Sequence, residues 1–402
     1  MPDQPAPLIP NRFAQLLPEV PNPKEAVPAK PVRNYAAGIA QPATVRAAML
    51  QGFRHGKARG ETTHWPEWDQ HFTWKPGEVN GWTGYNNSGK TEALLQLMLT
   101  KSVRDGWKWA IWCPENDPVD EIYDSLAHAL AGQSPDPDWR NQMSEATYEN
   151  CMTFLFAHFF VIDPPEAPTL ECLFDYTAYV VELHQCRGVL WDPWNRIAHA
   201  KAGRRDDEYL QDVLPAVVAF AKKHQQCFNM TMHPTKPVKS LPKPGVEPTW
   251  NCPDQFDLAG GAMWGNMLHN VMAVHRPFYL QNKANTAVEW HSHKIKKQKL
   301  VGRPGFVTLD FDFGRNRYML NGSTPLEPYA SRIVSPESFQ QPTAPARSPL
   351  PIERFNTTAG LPASNFEAAP WEAPAPLRIA ATARPDSPLG VASVRYGPAS
   401  IE

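Results

Sequence analysis

Residues 84–91 read Gly84-Tyr-Asn-Asn-Ser-Gly-Lys-Thr91, the spacing G-x-x-x-x-G-K-T. Few short patterns restrict a fold so tightly, because each fixed position has a mechanical job. Gly84 and Gly89 let the backbone curl so that the amides of Tyr85, Asn86, Asn87 and Ser88 face one anionic point. Lys90 reaches outer phosphates as a point charge, and the Thr91 hydroxyl can hold Mg²⁺. The flanks agree. Residues 78–83 have the make-up of a short strand, and residues 91–99 carry apolar side chains at helical spacing. The loop is therefore expected between a strand and a helix N-terminus, where an anion is favoured.

The chain has 402 residues and a net charge of -2. That length allows one large α/β domain or two small ones, and the charge excludes a global basic field, so a nucleic-acid site would have to be local. The six cysteines are scattered without a C-x-x-C spacing, which points to reduced thiols in the cytoplasm rather than a zinc ribbon or a disulfide framework. His291-Ser-His293 lies in an alternating segment and reads as a surface or packed pair rather than a metal site. The longest apolar run, residues 152–162, is too short for a bilayer and contains His158. The N-terminus lacks the basic and then apolar pattern of a signal peptide.

Proline marks the boundaries. Ten of the 43 prolines lie in residues 1–42 and fourteen from Pro325 onward. Residues 1–42 and 324–402 thus read as disordered Pro-rich tails. Residues 43–59 form a linker in which residues 44–57 can make an amphipathic helix using Val45, Met49, Leu50 and Phe53. Residues 60–323 are the folded body. Within it, strand candidates fall at 107–113, 154–162, 188–191 and 228–232. Helical stretches start from an Asp117 cap with Pro118 at the first position, and cover 169–184 and 207–224, the last to be kinked or split by Pro215. Short alternating runs follow residue 270. Alternating strands and helices imply a mostly parallel central sheet flanked by helices, closed here by antiparallel C-terminal strands.

A phosphate cradle alone does not hydrolyse a nucleotide. A carboxylate must support Mg²⁺ and another group must orient water. Asp192 ends the apolar run 188–192, where it either holds the metal or caps a turn before Pro193. Glu115 ends the neighbouring strand candidate, as a base for water or as a surface carboxylate. His233 ends the strand at 228–232, as a phosphate sensor or a structural histidine. Two loops carry clustered cations: residues 195–205, with Arg196, Lys201, Arg204 and Arg205, and residues 233–253, with Lys236, Lys239 and Lys243. Such loops grip a nucleic-acid backbone without reading its sequence, or they are ordinary solvated loops. Trp191 and Trp194 read as packing residues.

The order of these pieces resembles the RecA-like P-loop NTPase core of hexameric replicative helicases of the DnaB and Twinkle type, in its Twinkle-like and phage-encoded branch. The resemblance rests on Trp82-Thr-Gly-Tyr-Asn-Asn-Ser-Gly-Lys-Thr91, Cys113-Pro-Glu-Asn-Asp117, Trp191-Asp-Pro-Trp-Asn195, Met232-His-Pro-Thr-Lys236, Asp257-Leu-Ala-Gly-Gly-Ala-Met-Trp264, Val274-His-Arg276 and Lys294-Ile-Lys296. It implies ATP and Mg²⁺ as cofactors, with Lys90 and Thr91 on ATP–Mg²⁺, Glu115 as the catalytic glutamate, Asp192 as the Walker B aspartate and His233 as the phosphate sensor. It further implies Arg276 and Lys296, with Lys294 close behind, as fingers reaching a neighbour's γ-phosphate. The partners implied are single-stranded DNA, further copies of the chain in a homohexamer or other ring, and replication proteins reached through the tails, with no membrane. Three departures stand out: Lys296 where arginine is usual, Gly260-Gly261 where a serine commonly replaces one glycine, and His269-Asn270 where an aspartate is common. The activity implied is ATP-driven movement on single-stranded DNA. A second reading is a RecA-like ATP switch that loads or regulates replication or recombination proteins without unwinding, and a third, a degenerate scaffold, is opposed by the intact Lys90, Glu115 and Asp192.

Overall fold

The computed structural model describes residues 36–201, 203–240, 248–327 and 329–334. Its elements in chain order are α1 (Pro42–His55), α2 (Pro66–Asp69), β1 (Val79–Thr83), α3 (Lys90–Asp105), β2 (Trp109–Trp112), α4 (Asp120–Ala131), α5 (Glu145–His158), β3 (Phe159–Val161), α6 (Leu170–His184), β4 (Gly188–Trp191), α7 (Asp206–Lys223), β5 (Cys227–Met232), α8 (Ala262–Met267), β6 (Asn270–His275), β7 (Ala287–Ile295), β8 (Gly305–Asp312), β9 (Arg317–Met319) and α9 (Tyr329–Val334). One sheet runs β3-β2-β4-β5-β1-β6-β7-β8-β9. Strands β3 to β6 pair in parallel, and β7, β8 and β9 add on antiparallel.

Two buried clusters, one on each face, hold the sheet between helix layers. One contains residues of α3, α4 and α5 with a group of tryptophans, Trp65, Trp68, Trp74, Trp82, Trp107, Trp109 and Trp290. The other contains residues of α6, α7 and α8 around Trp191 and Trp194. Both of the last two tryptophans pack, as read from sequence. Truncating a fully buried one such as Trp191 would cost about 3–5 kcal/mol.

Strands buried on both faces have little apolar pattern to fix their register. A polar ladder supplies it here. Asn80 donates to Asn229 Oδ1 (3.1 Å), Asn270 donates to Asn80 Oδ1 (2.8 Å), and Asn229 donates to the Val189 carbonyl (3.2 Å). The ladder crosses β6, β1, β5 and β4 in line with their backbone pairing. The departure at His269-Asn270 thus has a structural role, and His269 Nδ1 also accepts the Val79 amide (3.1 Å).

The structure corrects several element expectations. Residues 154–158 are helical rather than strand. Ser144 caps α5 by accepting the Thr147 amide, and Cys151, Phe154 and Leu155 bury at helical spacing, leaving only β3 extended. An apolar run this short does not reveal its own period. Helix α4 starts at Asp120 with Val119 at the cap, not at Asp117, because residues 113–116 close a turn first. Helix α7 continues through Pro215 as one element. Pro215 and Gln211 are both exposed, so water can satisfy the carbonyl that proline leaves free. Helix α9 lies past residue 323 and still packs, with Leu326 and Ala330 buried.

Candidate nucleotide site

The carboxyl ends of β1, β2, β4 and β5 meet at one sheet edge, and each delivers one group. β1 leads into the phosphate loop and α3. Gly89, at φ +85°, caps α3 in the left-handed region, and a Cβ there would run into the Tyr318 hydroxyl. A Cβ at Gly84 would meet Ser88 Oγ and the Val274 carbonyl. Asn87 sits at φ 61°, which asparagine tolerates. Lys90 is buried and donates to the Gly84 (3.0 Å) and Tyr85 (3.3 Å) carbonyls, so its ammonium is held over the loop. Burial pushes its pKa below the usual lysine value, and Asp192 pulls it back.

Thr91 Oγ1 donates to Asp192 Oδ2 at 2.6 Å, and Thr231 donates to Asp192 Oδ1. Burial lifts the Asp192 carboxyl above the usual carboxylate range, against those two hydrogen bonds and Lys90. Glu115 lies after β2, partly exposed, with Arg196 Nε 3.1 Å from its Oε1. His233 follows β5, and burial keeps it below the usual histidine range, helped by Lys90. Asn86, Asn87, Ser88, Gly89, Lys90, Thr91, Glu115, Asp192, Arg196 and His233 all line one polar cleft of about 830 Å³. The donor set there, a hydroxyl beside a buried carboxylate, is hard oxygen chemistry that fits a divalent cation. Ser88 Oγ is buried without a partner among the described residues and faces the same cradle.

Other predicted residues fall elsewhere. Arg276 is on the phosphate-loop edge of its own chain. It donates to the Asn87 (3.2 Å), Lys283 (2.7 Å) and Asn285 (2.8 Å) carbonyls and lies 4.5 Å from the Tyr279 ring centre. It lines a second hollow of about 350 Å³ with Asn87, Gly89, Phe311, Phe313 and Tyr318. Lys294 and Lys296 sit at the opposite edge, since β7 runs antiparallel and pairs Ile295 with Asn270. Lys294 donates to the Gly265 carbonyl and, at 2.7 Å, to Leu268, while Lys296 is exposed. Grouping these three by sequence order joined residues that the sheet separates.

Of the first basic loop, Arg196 lies in the cleft. Lys201 pairs with Asp206 (2.5 Å), Arg204 with Asp212 (2.5 Å) and Arg205 with Asp207. Lys236 and Lys239 are exposed on a hairpin, with no acid at ion-pair distance among the described residues. Lys243 lies outside the described residues. That hairpin touches the phosphate loop. The Val238 amide donates to Tyr85 Oη (3.1 Å), and Trp250 lies between Tyr85 and Tyr279, at ring distances of 5.4 and 5.7 Å.

Sequence reading missed Thr231, Trp250 and Tyr318. Thr231 was visible as a polar residue inside an apolar strand two positions before His233. Tyr318 binds the Gly89 carbonyl through its hydroxyl (2.9 Å), and its backbone exchanges hydrogen bonds with the Gln96 side chain (2.6 and 3.1 Å). No local signal ties a residue so far along the chain to the loop.

A phosphate loop on a central strand, with carboxylates from neighbouring strand ends and a parallel sheet closed by antiparallel strands, is a RecA-like arrangement, and the chain is similar to cores of the DnaB and Twinkle type. In particular, the chain is 25% identical over 293 residues to the Twinkle homolog protein, chloroplastic/mitochondrial, of Arabidopsis thaliana, covering 71% of this chain and 39% of that protein. The chain thus spans about two fifths of that relative's length. Two solved structures share the fold. One, described as an ATPase domain, aligns with a TM-score of 0.54 at 14% identity, covering 69% of this chain and 96% of that one. A DnaB-like replicative helicase, described with its interactions with primase, aligns with a TM-score of 0.53 at 12% identity, covering 70% and 67%. No family model matches the chain. Among the described residues, no helix is long and apolar enough to cross a membrane.

Proposed function

We propose that this chain is the ATP-hydrolysing core of a ring that moves along single-stranded DNA, a helicase of the replicative type. The observation that carries the reading is the 2.6 Å link between Thr91 and Asp192 beside Lys90, with Glu115 on the same cleft wall. Lys90 and the amides at the start of α3 bind the outer phosphates. Thr91 and Asp192 would hold Mg²⁺, which when bound neutralises charge on the phosphates. Glu115 accepts a proton from the attacking water, and its pairing with Arg196 keeps the base oriented until phosphate competes for the guanidinium. His233 sits between the cleft and the hairpin loop and reports phosphate occupancy. The hollow of Arg276, Phe311 and Tyr318 receives the base, its apolar walls and one cation suiting a flat heterocycle.

Lys296 faces away from its own cleft, so its phosphate contact is with a neighbouring copy. Helix α1 supports the same assembly: Val45, Met49, Leu50 and Phe53 are exposed on it, Phe53 by 88%. Lys236 and Lys239 grip the strand. The test is hydrolysis with and without single-stranded DNA, with particle size followed alongside. DNA-stimulated hydrolysis that Lys90→Ala abolishes, in a ring-sized particle, supports the reading; a monomer under all conditions removes the shared-site mechanism. A second reading, the ATP switch, draws on the ion pairs that quench the first basic loop. Stimulated hydrolysis without strand displacement would select it.

A further inference from the structure

Strand β7 alternates between two faces. Val288 and Trp290 are buried in the core, while Glu289, His291 and His293 share the other face. The return arm of the basic hairpin lays Cys252 against that row. Cys252 Sγ is 3.5 Å from His293 Nε2, and one ligand atom each of Cys252, His291 and His293 lie within 4.8 Å of one another. All three residues are half-buried, dry enough to favour ligation and open enough to admit an ion. A tetrahedral zinc ion, with bonds of about 2.3 Å to sulfur and about 2.1 Å to nitrogen, holds those two atoms about 3.6 Å apart. Glu289 Oε2 lies 2.7 Å from His291 Nε2, the carboxylate–imidazole pairing that orients metal-binding histidines.

We propose that Cys252, His291 and His293 bind a zinc ion that staples the return arm of the hairpin to β7. One thiolate and two imidazoles form a borderline-soft set that suits zinc over magnesium or calcium. Water completes the fourth position. The ion replaces the contact between His293 Nε2 and the Pro253 carbonyl (3.0 Å) and displaces the thiol proton. Cys252 is two residues from Trp250, which packs on Tyr85 of the phosphate loop. The staple therefore fixes the arm through which hairpin and loop touch.

The test uses the full chain without a polyhistidine tag. Metal content is measured after purification, cobalt is added to metal-free protein for absorption spectroscopy, and alkylation of Cys252 is followed by mass spectrometry with and without zinc. The proposal predicts one zinc per chain, a thiolate-to-cobalt charge-transfer band with tetrahedral d–d bands, and alkylation slowed about tenfold or more by zinc. Cys252→Ser and His293→Ala should each lose the metal. The alkylation measurement needs no variant, so a folding defect cannot mask the answer. A cobalt spectrum without the thiolate band, or alkylation indifferent to zinc, overturns the proposal and leaves only a surface histidine pair.

Discussion

The loop after β4 and the hairpin after β5 leave adjacent strands at one sheet edge, and sequence shows both as clusters of cations. Their states differ. Lys201 and Arg205 pair with acids in the first turn of α7, Arg204 pairs with Asp212 in its second, and Arg196 turns to Glu115. Lys236 and Lys239 carry no such partner among the described residues, and their hairpin is tied to the phosphate loop through Tyr85 and Trp250. Counting lysines and arginines measures charge, but not charge free to meet a phosphate. Acids close by in the following helix decide that.

The root of the first loop should matter more than its tip. On the proposed function, Asp192→Asn is expected to lower phosphate release by about 10²–10³-fold, since the group that would support the cation is lost. Its melting temperature should hold or rise, because burial already opposes charge at Asp192. Hydrolysis kept within tenfold would detach this loop's root from the chemistry. On the hairpin's outgoing arm, Lys236→Ala with Lys239→Ala should weaken single-stranded DNA binding about tenfold. It should also flatten the log–log salt slope by about 1.4, at about 0.7 per phosphate contact. Arg204→Ala with Arg205→Ala should change affinity less than about threefold, again by titration across salt. Equal losses from the two pairs would erase the difference between the two loops.

Trp250→Ala probes the tie between hairpin and phosphate loop. Losing its ring contacts costs about 1 kcal/mol, expected as about fivefold weaker stimulation of hydrolysis by DNA with the basal rate kept. A proportional fall in both rates would make Trp250 a general packing residue. Acid should leave the contrast untouched. Burial holds His224 and His269 down to about 4, and the unfolded chain takes up their protons below about 6.5. Stability is therefore full above about pH 6.5 and falls as pH drops toward about 4. Between pH 7 and 6 these two histidines together lose about 1.4 kcal/mol, readable as a lower melting temperature. A melting temperature flat over that range would show that neither histidine is held neutral.

The meeting of residues that follow strand ends was legible in the sequence. The phosphate loop, Asp192, Glu115 and His233 each follow a short apolar run, and a parallel sheet brings such ends to one edge whatever the details between. Features set by distant pairing were not. Arg276 and Lys296 are twenty residues apart and look alike as late cations, yet an antiparallel turn sends them to opposite edges. Cys252 meets His293 only because the hairpin folds back across β7. Residues 154–158 went to a helix because the Ser144 cap and the buried spacing outweighed the look of an apolar run.

Tyr318 and Gln96 bear on synthesis as well as on shape. Every signature residue of the cleft is translated by position 233, but the hydroxyl that braces the carbonyl of Gly89 belongs to a strand made eighty-five residues later. A ribosome that stalled between those points would release a polypeptide bearing all the recognisable marks and lacking the back wall of its pocket. On the proposed function, the finished cleft would have to wait for that late strand.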